Sequence, residues 1–234
     1  MINTLDVNVE LGSGGGPSKV LEYGNHEVTV VKVILDENRF QPDSYFLKFI
    51  VEGPDMGDDF QGLLFDKNDP SLGRHRGQVG WVKANQYAFA DKNEGGLVIK
   101  RDQEILKYIK LLALECEAGD WFIAQNGKHS TIQEFIQAVN ESKFFKDKPL
   151  RVCIGSRRYE SKGYMNNDLF LTRWTKKNKP FESVSVPASE SMIPVFNETE
   201  HVYTKKEKEV SGFSSDGRVE EKKVSTKSGD DFDL

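Results

Sequence analysis

The 234-residue chain lacks three things that would assign it quickly: a long apolar run, a cysteine framework and an excess of positive charge. No stretch approaches the roughly 18 apolar residues of a transmembrane helix, which excludes a helical membrane span. The only cysteines, Cys116 and Cys153, stand alone, so neither a disulfide scaffold nor a CxxC metal site is read, and a reducing cytoplasm is expected. The net charge of −5 excludes coating of nucleic acid by bulk charge and confines any such contact to a local basic face. At the N-terminus, Met1-Ile2-Asn3-Thr4-Leu5-Asp6 has no basic region followed by an apolar run, so no standard export signal is read there. His26, His75, His129 and His201 are scattered without ligand spacing. The Gly12 to Gly16 run lacks the Lys-Ser/Thr of a phosphate-cradling loop and does not fit G-x-G-x-x-G, so no cofactor is expected.

What is present is a strand pattern interrupted by helices. The length accommodates one domain of about 150–180 residues plus a tail. The expected organisation is a flexible lead over 1–19, a domain over 20–198 and a disordered tail over 199–234. His26 to Leu35 is rich in Val and Ile, and Tyr45 to Val51 alternates with period two. Phe60 to Phe65 follows a Gly-Pro turn as a third short strand, completing an antiparallel meander. The stretch from Asp69 to Gly96 reads as an elaborated loop, with a short hairpin around Gln86 to Phe89 and Leu97 to Lys100. Asp102 is an N-cap for a helix carrying Ile105, Leu106, Ile109, Leu112 and Cys116 and ending at Gly119. A capping box, Ser130-Thr131-Ile132-Gln133, opens a second helix that runs to about Asn140. Two further strands, Leu150 to Tyr159 and Asp168 to Trp174, complete the domain. The order is three strands, helices, two strands. It predicts a mainly β protein built on a five-stranded OB-fold-like barrel with the helices between strands 3 and 4. Such barrels bind ligands across strands two and three and through the first-second and fourth-fifth strand loops.

A single strand of nucleic acid needs cations along its phosphates and flat rings on which bases stack. Two stretches interleave those residue types. The long loop offers Arg74, Arg76, Trp81, Lys83 and Tyr87. The fourth-fifth hairpin offers Arg151, Arg157, Arg158, Tyr159, Lys162, Tyr164, Arg173, Trp174 and Lys176. The competing reading is a charged hairpin surface with Tyr159 and Trp174 packed as ordinary strand aromatics. Period two turns Val152 and Ile154 inward and Arg151, Arg157 and Tyr159 outward, unless Gly155 forms a bulge that reverses the parity. The acidic cluster Glu52, Asp55, Asp58 and Asp59 reads as a turn at the barrel rim rather than a nuclease centre, and no enzyme is expected.

The chain closes on Asp230-Asp231-Phe232-Asp233-Leu234, three carboxylates interleaved with two apolar side chains beyond a Ser, Gly, Lys and Glu rich stretch. A peptide of that kind suits a basic, apolar-lined pocket on a partner.

Taken together, Phe46-Leu47-Lys48-Phe49 with Glu52-Gly53, Phe135-Ile136, Leu150-Arg151-Val152-Cys153-Ile154-Gly155 through Tyr159, Lys162-Gly163 and the acidic tip resemble tailed-bacteriophage single-stranded-DNA-binding proteins. The resemblance implies sequence-tolerant binding and protection of single-stranded DNA in phage replication, recombination and repair. It also implies a site in the bacterial host cytoplasm and recruitment of a polymerase, helicase/primase or recombinase through the tip. Residues 200–229 depart from the family's acid-rich tail by mixing Lys and Glu almost evenly, which confines the docking expectation to the tip. Other classes remain open at this point: a phage interaction or structural protein that binds no DNA, a strand-annealing protein, or a small nuclease.

Overall fold

Alternating apolar residues pair off into a closed wall. The computed structural model describes residues 17–161, 164–172, 184–185 and 195–204. Its first two strands are β1 (Gly24–Glu37) and β2 (Tyr45–Glu52), paired antiparallel. In β2, Leu47, Phe49 and Val51 point inward, as their period requires. In β1 a register shift between Val30 and Lys32 moves the inward set from Val28 and Val30 to Val33, so the buried parity changes along the strand. Next come β3 (Val79–Lys83), a small hairpin of β4 (Lys92–Glu94) and β5 (Leu97–Ile99), and the helices α1 (Arg101–Glu115), α2 (Gly119–Ala124) and α3 (Ile132–Ser142). The chain then forms β6 (Pro149–Ser161), β7 (Tyr164–Leu171), β8 (Val184–Ser185), α4 (Glu198–His201) and β9 (Val202–Thr204).

β1 pairs with β2 and β6, β2 with β3, β3 in parallel with β7, and β7 with β6. Those pairings close a five-stranded mixed barrel with the three helices between its third and fourth strands, the OB-like arrangement. Ile105, Ile109 and Leu112 of α1 and Ile132, Phe135, Ile136 and Val139 of α3 join the barrel interior in one apolar core.

Several elements differ from the sequence expectation for local reasons. The third barrel strand is Val79–Lys83 and not Phe60 to Phe65. In the latter segment Gly62 lies so close to the chain that a Cβ there would sit 2.1 Å from the His75 carbonyl oxygen, and only an isolated bridge, Leu64 to Arg74, forms. The strand that replaces it was obscured by Gly80, whose bare backbone admits Leu21. α1 begins one residue before Asp102: the cap is Lys100, and the Asp91 carboxylate accepts from Arg101 N at 2.9 Å. α3 is capped by Thr131, whose Oγ1 accepts from Glu134 N at 3.2 Å while Glu134 Oε2 accepts from Ser130 N at 2.8 Å, one residue later than the expected box. The small hairpin pairs residues 92–94 with 97–99, while Phe89 bridges to Tyr45. β7 begins at Tyr164, closer to the hairpin tip than the expected Asp168, and ends at Leu171.

The tail boundary also moves. Residues 199–204 are part of α4 and β9, and β9 runs parallel to β6 through Ser156–Val202, Arg157–Tyr203 and Arg158–Thr204. His201 is buried, accepts at Nδ1 from Asn197 N at 2.9 Å, and lies beside Phe196, which stacks on Tyr23. Burial holds the His201 pKa below its ordinary value. Residues 1–16 of the expected 1–19 lead and 205–234 of the expected 199–234 tail lie outside the described residues.

Candidate nucleic-acid interface

With Leu47, Phe49 and Val51 turned inward, Phe46, Lys48 and Ile50 must line the outer face of β2. The same logic puts Trp81 and Lys83 on the outer face of β3, and the register sets Lys48 opposite Lys83 and Ile50 opposite Trp81. Across the barrel wall, β6 and β7 pair Arg157 with Asp168 and Tyr159 with Asn166 in an uninterrupted register. Gly155 is therefore no bulge in this ladder, and Arg157 and Tyr159 keep the outward parity read from the sequence.

These side chains, together with the β1-β2 loop, enclose an open groove of about 800 Å³ lined by Asp36, Glu37, Asn38, Arg39, Phe40, Phe46, Lys48, Lys83, Gln86, Arg157, Tyr159 and Asp168. Phe40 stands at the loop tip with 97% of its surface exposed. Asn38 Oδ1 accepts from Phe40 N at 3.1 Å, and the Ser44 hydroxyl donates to Gln41 O at 2.7 Å, so the loop that presents the ring is internally braced.

No protein-family model matches this chain, and no curated protein or solved structure matches it either. The groove must therefore be read from its own chemistry.

Three of its cations, Lys48, Lys83 and Arg157, are held by carboxylates or rings. Lys48 Nζ pairs with Asp36, and Lys83 Nζ pairs with Asp168 at 2.6 Å while sitting 4.3 Å from the centre of the Phe46 ring. Arg157 lies 5.3 Å over the Tyr87 ring and donates to Gln86 Oε1 at 3.4 Å. Arg39, Lys48, Lys83 and Arg157 against Asp36, Glu37 and Asp168 leave the lining only one positive charge in excess. An arriving phosphate would exchange with Asp36 and Asp168 for lysines already positioned, so part of the ordering cost is met before binding.

Of the residues singled out in the sequence, Lys83, Arg157 and Tyr159 line the groove, Tyr87 lies under Arg157, and Trp81 follows Lys83 along the same face of β3. Five others are not among the groove's lining residues. Arg74 donates to Gly62 O at 2.8 Å. Arg76 pairs with Asp55 at 2.5 Å and Asp58 at 3.0 Å, and its backbone N–H donates to Glu52 Oε1. Both brace the β2-β3 loop at the Glu52 end of β2, about 23 Å of extended strand from Tyr45. Arg151 sits near the start of β6, opposite Glu27 and Ser185. Arg158 has the opposite parity to Arg157; it packs 4.9 Å over Tyr23, bonds the Tyr23 hydroxyl and pairs with Glu198 at 3.4 Å. Tyr164 opens β7 opposite Ser161. Lys162, Arg173, Trp174, Lys176 and the tip Asp230, Asp231, Phe232, Asp233 and Leu234 lie outside the described residues.

Sequence reasoning missed Arg39, Phe40, Phe46 and Lys48. The signal was available, because inward Leu47 and Phe49 dictate outward Phe46 and Lys48, and the OB expectation already pointed to strand two and the first loop.

The acidic rim resolves into a brace. Glu52 Oε1 accepts from Arg76 N and Gly77 N, and Oε2 lies 3.0 Å from His75 Nδ1. Among the described residues no group of three or more His, Cys, Asp or Glu is arranged to hold a metal ion. Burial pushes the Cys116 thiol up to about 12 and raises that of Cys153, so both are protonated at neutral pH. No helix among the described residues is long and apolar enough to cross a membrane.

Proposed function

We propose that the protein binds and protects single-stranded DNA across this groove with tolerance of sequence. It would act in phage DNA replication, recombination and repair in the host cytoplasm and recruit a polymerase, helicase/primase or recombinase through the tip of its tail. The observation that carries the reading is the convergence of Lys48, Lys83 and Arg157 with Phe40, Phe46, Tyr87 and Tyr159 from three separate chain segments on one open face. Cations can follow a phosphate backbone there, and the exposed rings offer platforms to any base. Among the described residues the groove is lined by strands and loops, with no helix placed to enter a major groove, which favours unpaired bases over a duplex.

Fluorescence anisotropy with labelled single strand, duplex and RNA, each with and without magnesium, tests this. Single-stranded DNA is expected to bind well above duplex, and the log of the affinity should fall against log salt with a slope near −3 if about four phosphates are neutralised. Equal affinity for duplex, or a response flat in salt, would refute the groove as a single-strand site. Cleavage that depends on magnesium would identify a nuclease instead.

Deleting Asp230 to Leu234 should leave the thermal transition unchanged and DNA affinity equal or slightly raised, because three side-chain carboxylates that compete with phosphate are removed. Capture of the purified replication or recombination partner should be lost, and Phe232→Ala alone should impair it. Retention of that partner by the truncated chain would rule out docking through the tip.

A further inference from the structure

The outer face that carries Lys83 does not stop at the groove. Phe170 is the register partner of Lys83 and shares the parity of Asp168, so it points out of the barrel, yet it is only 6% exposed. What covers it is Tyr203 of β9, whose ring stacks on Phe170 with centroids 6.0 Å apart and planes 27° from parallel. The stack crosses β6 at Gly155, the residue opposite Phe170. A Cβ there would lie 2.9 Å from Phe170 Cζ and 2.7 Å from the His201 carbonyl oxygen, so a glycine is what lets this strap lie flat on the wall. Tyr203 itself keeps 48% of its surface exposed.

We propose that Tyr203 is a further base-stacking residue for single-stranded DNA, supplied by the strand that leads into the tail. The inference rests on the nucleic-acid reading above and extends the binding face from Lys83 across β7 and β6 to β9. The ring is packed on Phe170 yet nearly half of the side chain stays exposed, which leaves surface on which a nucleobase could extend the stack. The strap is tied to β6 by the β9 ladder and by the Glu198 to Arg158 pair at 3.4 Å, and braced internally by the bond from Asn197 N to His201 Nδ1, so the ring is ordered before any base arrives. A lone lid over an apolar ring would need only an aliphatic side chain. That difference gives the test.

Full-length protein and its Tyr203→Phe, Tyr203→Leu and Tyr203→Ala variants are titrated against a fluorescein-labelled oligothymidylate. The wild type is also irradiated with an oligonucleotide carrying 5-iododeoxyuridine, and cross-linked peptides are mapped by mass spectrometry. The Phe variant is expected to keep wild-type affinity, and the Leu and Ala variants to lose about five- to a hundredfold, the range of one base-aromatic stack. A cross-link at Tyr203 is expected. Leu binding like wild type makes Tyr203 a mere lid on Phe170 and overturns the inference, as do cross-links that map only to other residues. Both outcomes leave the groove reading standing. Absence of single-strand binding by the wild type overturns the groove reading and this one together.

Discussion

Replacing Lys83 and Arg157 together with alanine is expected to weaken single-strand binding at least a hundredfold while leaving the circular dichroism spectrum of the folded protein close to wild type. Each side chain offers a charge-assisted hydrogen bond to phosphate, worth about 1.5–3 kcal/mol, and the two lie on the outer wall rather than in the core. Loss of Lys83 has a second cost. Asp168, now paired with it at 2.6 Å, would face the incoming phosphate uncompensated. The slope of log affinity against log salt should become shallower by about 1.4, since roughly 0.7 is lost per single-strand phosphate contact. Anisotropy titrations over a salt series measure both quantities, and an unchanged slope would exclude these two cations from the contact surface.

The second large effect concerns stability. Asn140→Ala is expected to destabilise the fold by about 2–4 kcal/mol, lowering the melting temperature by roughly 4–16 °C for a chain of this size. Asn140 on α3 accepts from Val33 N at 2.8 Å and donates to Val33 O at 2.8 Å. It serves β1 where β6 no longer reaches, because the β1-β6 ladder ends at Thr29 and Pro149. Alanine leaves a strand amide and carbonyl without partners at a partly buried site, whereas Asn140→Asp keeps an acceptor for the Val33 amide and should recover part of the loss. Urea unfolding monitored by tryptophan fluorescence measures the difference. A midpoint unchanged in the alanine variant would mean that water serves Val33 equally well.

The parts of this fold that could be read in the chain are those fixed by near neighbours. The alternation of Leu47, Phe49 and Val51 specifies β2, and the box expected at Ser130 to Gln133 falls within a residue of the actual cap, Thr131 with Glu134. What could not be read depends on distant partners. Arg76 looks like a phosphate-binding cation until Asp55 and Asp58, 21 and 18 residues away, claim it, and Arg158 is taken by Glu198, 40 residues on, and by Tyr23, 135 residues back. Val79 to Lys83 hid behind Gly80, whose missing side chain weakens the local strand signal but makes room for Leu21. The candidate site was half legible for the same reason: the hairpin cluster with Arg157 and Tyr159 is contiguous in sequence, whereas Phe40, Phe46 and Lys48 reach the groove only once the barrel closes. β9 carries only three paired residues, too few to show periodicity.

β9 also covers a backbone edge that β1 leaves open. β1 pairs with β6 only as far as Ile154, and without the strap the amides and carbonyls of residues 156–158 would form a bare margin beside the groove. Bare margins of that kind recruit strands from other chains and seed aggregates. Because β9 occupies it, the margin shrinks to the outer side of a three-residue strand, and short edge strands are poor templates for pairing with another chain. Crowded copies of the chain would then be less able to fuse sheet to sheet.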